Sequence, residues 1–121
     1  MRHVLGSVFY ALTAAVSVSV SLAEGVQVPN AFRTGQQYLE LSAHEQATYI
    51  MGLVDGISIG PLFGASEARV LALQSCLQKH NNVQIAAILT KYVQDRPERW
   101  HDGAHALFYL RMFELCPGVK P

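Results

Sequence analysis

An all-α domain, a small bundle of four to five helices closed by one disulfide, follows from three features of this 121-residue chain. Apolar residues recur at the three-and-four spacing of one helical face behind Ser or Thr caps, and no stretch alternates cleanly enough for a strand. Cysteines stand only at positions 76 and 116. The N-terminus is the third feature: basic MRH, a mostly apolar run from Val4 to Val20, then small residues at Ser21 and Ala23. That order reads as an export signal cleaved after Ala23. The run is broken by Ser7, Ser17 and Ser19 and falls short of the roughly 20 strongly apolar residues of a spanning helix, so a membrane anchor is the lesser reading.

Removing 23 of 121 residues leaves a single domain, 24–121, of 98 residues. It carries eight Lys or Arg against nine Asp or Glu, so it has no electrostatic pull toward nucleic acid or an anionic membrane. A domain this small buries only about two-thirds of the surface its chain exposes, which makes a cross-link valuable. Behind an export signal, Cys76 and Cys116 are expected to pair; two free thiols or an intermolecular link are the alternatives.

The elements follow in order. Glu24 to Asn30 is an arm in which Pro29 stops any helix. Thr34 caps a short helix over Gly35 to Leu41, with Gln37 completing the box. Ser42 and Glu45 cap the clearest helix, whose apolar face is Ala47, Ile50, Met51, Val54 and Ile57 and whose stop is Gly60-Pro61. SEARVLALQSCL suggests a short helix from Glu67, followed by a turn at KHNN. Asn82 is expected to cap the next helix, striped by Ile85, Ile88, Leu89, Tyr92 and Val93 and ended by Pro97. The last helix runs from about Asp102 to Leu115, rich enough in Leu107, Phe108, Leu110 and Phe113 to be buried on more than one side, and Pro117-Gly118 ends it.

Several residue groups invite a chemical reading. Gly52, Gly56 and Gly60 fall four apart on one helix, at a cost of up to about 1 kcal/mol each relative to Ala. Close packing of another helix on that ridge is the expected reason, with a binding groove or a dimer contact as the alternative. Tyr49, Gly52 and Asp55 form a motif spaced by three, and Asp55 is expected to accept a structural hydrogen bond from a loop or tyrosine. His101 and His105, four apart at a helix start, would share a face, but the Glu of HExxH is missing and surface or capping roles are expected rather than a metal site. The sequence contains no glycine-rich phosphate loop, CxxC, CxxCH or GxSxG. No catalytic residue, cofactor or metal is therefore expected, and the chain does not read as an enzyme.

The order of features carries a resemblance. YIMGLVDG on a helix, then Cys76, then NNVQIAAILTKYVQDRPERWHDGAHALFYLRMFELCP resembles the Rap/Tai family of small periplasmic immunity proteins of type VI secretion. The matching positions are Tyr49, Gly52, Asp55, Cys76, Tyr92, Pro97, Glu98, His101 and Cys116, spread over roughly Phe32 to Pro117. Family members often have a further cysteine where this chain has Glu45, Gln46 and Ala47, and a Pro where it has Gln78. The stretch from Asp55 to Cys76 is also longer than usual. The resemblance implies a protein that binds a secreted peptidoglycan amidase effector and blocks its cleft, often as a homodimer. On that reading the segment Pro61 to Ser75 is a loop that meets the partner. The rival class is a periplasmic acid-stress chaperone similar to HdeA, which the low charged content of 15% disfavours.

Overall fold

The computed structural model describes residues 31–119, so the leader at 1–23 and the arm at 24–30 lie outside the described residues. Five α-helices follow one another: α1 (Gly35–Leu39), α2 (Ala43–Ser58), α3 (Glu67–Leu77), α4 (Asn82–Gln94) and α5 (Ala104–Leu115). Short 3-10 turns at Gly60–Phe63 and Pro97–Arg99 fill two of the connections. No strand occurs among the described residues, only one isolated antiparallel bridge between Thr34 and Gly103.

Local chemistry sets the helix starts. Thr34 and Gln37, Ser42 and Glu45, and Asn81 and Gln84 each form a reciprocal capping box, and Ser66 accepts from the Arg69 N–H to cap α3. The cap of α4 is thus Asn81 rather than Asn82, because Asn81 has the extended backbone a cap needs and Gln84 lies three residues beyond it. α1 stops at Leu39, two residues before the expected end, as Glu40 and Leu41 turn back on Gln36 and Tyr38. α2 stops at Ser58, and the chain tightens into the Gly60–Phe63 turn that Pro61 opens. α5 begins at Ala104 rather than Asp102. The backbone of 100–104 is engaged elsewhere: Gly35 donates to the Asp102 carbonyl (2.8 Å), Gln36 to that of Trp100 (3.0 Å), and Ala104 to that of Arg33 (2.9 Å).

The core lies between α2 and α4, which make the most extensive helix contact, with α1 and α5 closing over α4. Tyr38, Ile50, Leu73, Leu89, Leu107, Phe108 and Met112 are its largest enclosed side chains. Met51 departs from the expected stripe: it is 52% exposed, and its sulfur accepts a hydrogen bond from the Asn82 side-chain amide (3.3 Å) at the rim. No polar or charged residue is fully buried among the described residues apart from the Tyr38 ring. Its hydroxyl donates to the Ala86 carbonyl (3.1 Å), the Gln46 amide donates to the Tyr38 carbonyl (3.1 Å), and Thr90 donates to the Gln46 amide oxygen (3.0 Å). This network ties α1, α2 and α4 together, and burial pushes the Tyr38 phenol above its ordinary pKa.

The disulfide joins Cys76 on α3 to Cys116 at the end of α5, with 5.8 Å between the Cα atoms. Beyond it the chain is still held: Val119 is fully buried, and a Cβ on Gly118 would stand 2.9 Å from the Cβ of Ala72.

Candidate interaction surface

The Tyr49–Gly52–Asp55 motif divides across the edge of α2. A step of three turns a helix by about 300°, so each successive member is displaced by about 60° around the axis. Tyr49 is half-buried, its ring tilted against that of Tyr38 at 5.5 Å. Burial raises its phenol pKa, against a smaller opposing effect of the Arg33 charge. Gly52 and Asp55 lie on the exposed face. Asp55 makes no hydrogen bond or ion pair among the described residues, so the expected structural hydrogen bond is replaced by solvation.

The glycine ridge is likewise not a packing seam. A Cβ built at Gly52 or Gly56 would meet nothing within 4 Å. Among the described residues no helix covers them, because α4 and α3 pack on the opposite, Ala47–Ile50–Ile57 side of α2. Only Gly60 has a close neighbour, with Ala65 Cβ 3.2 Å from its notional Cβ.

The ridge leads to an apolar knob. In the Gly60–Phe63 turn Leu62 is 83% and Phe63 81% exposed, with Ile59 also exposed beside them. The turn is internally braced. Leu62 donates to the Ile59 carbonyl (3.0 Å), Gly64 to that of Pro61 (3.2 Å) and Ala65 to that of Gly60 (3.1 Å). Gly64 closes it at φ 90°, a conformation that glycine adopts without strain. Behind it, the Gln74 amide of α3 donates to Ser58 Oγ (2.9 Å), which itself donates to the Val54 carbonyl (2.9 Å). The segment 61–75 is therefore a loop only as far as Ser66; from Glu67 it is helix α3.

At the other end of α2 lies an open groove of about 770 Å³ between the N-terminal stretch 31–33, the first three turns of α2, and α5. Phe32, Arg33, Leu41, Tyr49, Leu53 and His105 are among the residues lining it, as is Gly52. His105 enters through this wall, its Nδ1 buried without a hydrogen-bond partner. His101 precedes α5 and is exposed, 3.3 Å from Asp102 Oδ1. The four-residue spacing therefore does not place the two imidazoles on one helical face. Among the described residues, no group of three or more His, Cys, Asp or Glu could hold a metal ion.

Tyr49 and Gly52 of the tyrosine motif and His105 of the histidine pair line the groove, whereas Asp55, His101 and the knob lie outside it. Leu62 and Phe63 had a signal: two large apolar residues inside a segment bounded by Gly60-Pro61 and Gly64, where turn chemistry forbids their joining a helix face. The groove as a whole had none, since the stretch 31–33 comes beside His105 only through the pairing of 33–36 with 100–104.

Fold and surface together define a small, disulfide-closed, all-α domain with a braced apolar knob at one end of α2 and an open groove at the other. Comparison of the chain with protein-family models, with curated proteins and with solved structures returned no match.

Proposed function

We propose that this chain is a periplasmic immunity-type protein, of the kind the Rap/Tai resemblance implies, that binds and inhibits a peptidoglycan amidase toxin of a type VI secretion system. The knob at Leu62 and Phe63 is the part we assign to the toxin's cleft. The observation that carries this reading is the combination of near-complete exposure and backbone bracing in one four-residue turn. Large apolar side chains held out in water contribute nothing to folding, and a rigid turn loses little entropy when a partner encloses them. The leader-like N-terminus and the disulfide suit an oxidising compartment outside the cytoplasm. The order of the Tyr49, Cys76, Tyr92 and Cys116 motifs supports the family reading.

The test pairs the chain with the secreted amidase whose gene adjoins its own. Saturating wild-type protein is expected to suppress hydrolysis of peptidoglycan. The Leu62→Ala/Phe63→Ala variant is expected to weaken binding by about 2 kcal/mol or more, roughly 30-fold, the scale of an interface hot spot. Both side chains are exposed, so the melting temperature of the variant should match the wild type. Undiminished hydrolysis in the presence of excess wild-type protein would refute the inhibitor role, and full inhibition by the variant would refute the knob.

A further inference from the structure

We propose that the exposed face of α2 continues the contact surface of the knob, and that Asp55 at its centre receives one basic side chain, Arg or Lys, which the bound protein presents within an apolar surround. The inference deepens the inhibitor reading above and rests on it.

The distribution of charge sets this face apart. Between Gln46 and Ser66, a span that covers most of α2 and the whole knob, Asp55 is the only charged residue. The neighbouring stretch of α4 from Asn82 to Thr90 has none. By contrast, the ion pairs found among the described residues all fall between Lys91 and Glu114, on the end of α4, the turn after it and α5. One side of the domain is thus laced with paired charges, and another is nearly free of charge. That is the division expected between a solvated side and an interface, whose core is depleted of charged residues.

Apolar side chains stand where the charges are missing. Met51, Asp55 and Ile59 follow one another at steps of four residues, each about 6 Å along the helix axis and about 40° around it. The carboxylate therefore sits between two large apolar groups, both more than half exposed. Val83 is exposed as well and extends the patch across the hydrogen bond from Asn82 to Met51. At the other end Ile59 leads directly into the turn that holds out Leu62 and Phe63. Gly52 and Gly56 lie beside Asp55 and carry no side chain that would keep a partner at a distance.

The sign of the charge selects the partner. Asp55 has no ion pair or hydrogen bond among the described residues. The cations of residues 31–90 lie elsewhere: Arg33 is in the groove, where its charge acts on Glu45, and Arg69 and Lys79 are in clefts that α5 or its end also lines. A carboxylate enclosed by an apolar contact loses its hydration, and only a counter-charge brought by the partner offsets that loss. A second copy of this chain brings the wrong sign, because a two-fold contact of α2 on α2 centred on Gly52 and Gly56 would set one Asp55 against the other.

The experiment measures binding of the adjoining secreted amidase to the full chain by titration calorimetry, and its association rate by stopped flow at low and high salt. Asp55→Asn is expected to weaken binding by about tenfold or more, and Asp55→Lys to weaken it further. The association rate of the wild type should fall as salt rises, and that of Asp55→Asn should fall less steeply. Lys91→Gln, on the ion-paired side, should bind as the wild type does. Asp55 is solvated in the free domain, so neither of its variants should melt below the wild type. Wild-type affinity in Asp55→Lys would overturn this inference and leave the inhibitor reading intact. Absence of binding by the wild type would refute that reading, and this inference with it. Self-association of the wild type in sedimentation that is lost in Asp55→Lys would assign the face to a second copy and overturn the inference as well.

Discussion

Replacing Gly52 and Gly56 by alanine is expected to stabilise the domain, against the usual direction of a substitution in mid-helix α2. Glycine inside a helix is less favourable than alanine by about 0.8–1.0 kcal/mol, because its unfolded backbone has more freedom to lose. That difference is realised only if the added methyl meets no obstacle. At both positions the new Cβ would meet nothing within 4 Å. Each change should therefore contribute about 1 kcal/mol, and the pair about 2 kcal/mol. For a domain of this size that corresponds to a rise in melting temperature of about 4–8 °C per substitution. The contrast is Gly35→Ala, where the same methyl would stand 2.7 Å from Leu107 Cδ1 and 3.1 Å from Val93 Cγ1. Leu107 and Val93 are both enclosed in the core, and overpacking of that kind costs about 1–3 kcal/mol.

Thermal and urea melts followed by far-UV circular dichroism at neutral pH read all three variants on one scale. Opposite signs for Gly52 and Gly56 on one side and Gly35 on the other are the expected result. A fall in melting temperature for Gly52→Ala or Gly56→Ala would mean that something packs on the exposed ridge, and the description of α2 as open along that face would be wrong. If the signs are as expected, folding stability does not account for glycine at either position. A demand for close approach from outside the domain then becomes the more economical reason.

Cys116→Ala should cost about 4 kcal/mol in oxidising buffer, the chain-entropy value for a 40-residue separation, and much less when the wild type is compared under reductant; equal losses in both buffers would refute the cross-link as the source. Acid should unfasten the start of α2. Ser42 holds Glu45 below its ordinary value of 4.5, so the stabilisation is present above that pH and is lost as pH falls through the lower, folded-state value. Glu45→Gln keeps a capping acceptor but does not titrate there, so the melting temperature of the variant should fall less between neutral and acidic pH; parallel curves for the two proteins would refute the assignment.

The helical architecture was legible in the sequence because caps and apolar periodicity are local. Thr34, Ser42 and their partners at Gln37 and Glu45 lie within one turn of each other, and their hydrogen bonds form with little help from the rest of the chain. The start of α5 was not legible, because the deciding interaction is distant. α5 begins two residues late because Asp102 and Ala104 are engaged by Gly35 and Arg33, about seventy positions earlier in the sequence. Glycine spacing is ambiguous for a related reason: a seam and an open ridge require the same residues, and only the placement of α3 and α4 on the far side of α2 decides between them.

The same reasoning explains why the two surface features differ in how readily they could be found. The knob is a local object, since Leu62 and Phe63 are confined by Pro61 and Gly64 to a turn whose hydrogen bonds span at most five residues. Composition alone places two large apolar residues where no helix face can absorb them. The groove is assembled from three separate parts of the chain, the stretch 31–33, α2 and α5, which the long-range pairing of 33–36 with 100–104 brings together, and no local signal announces that pairing.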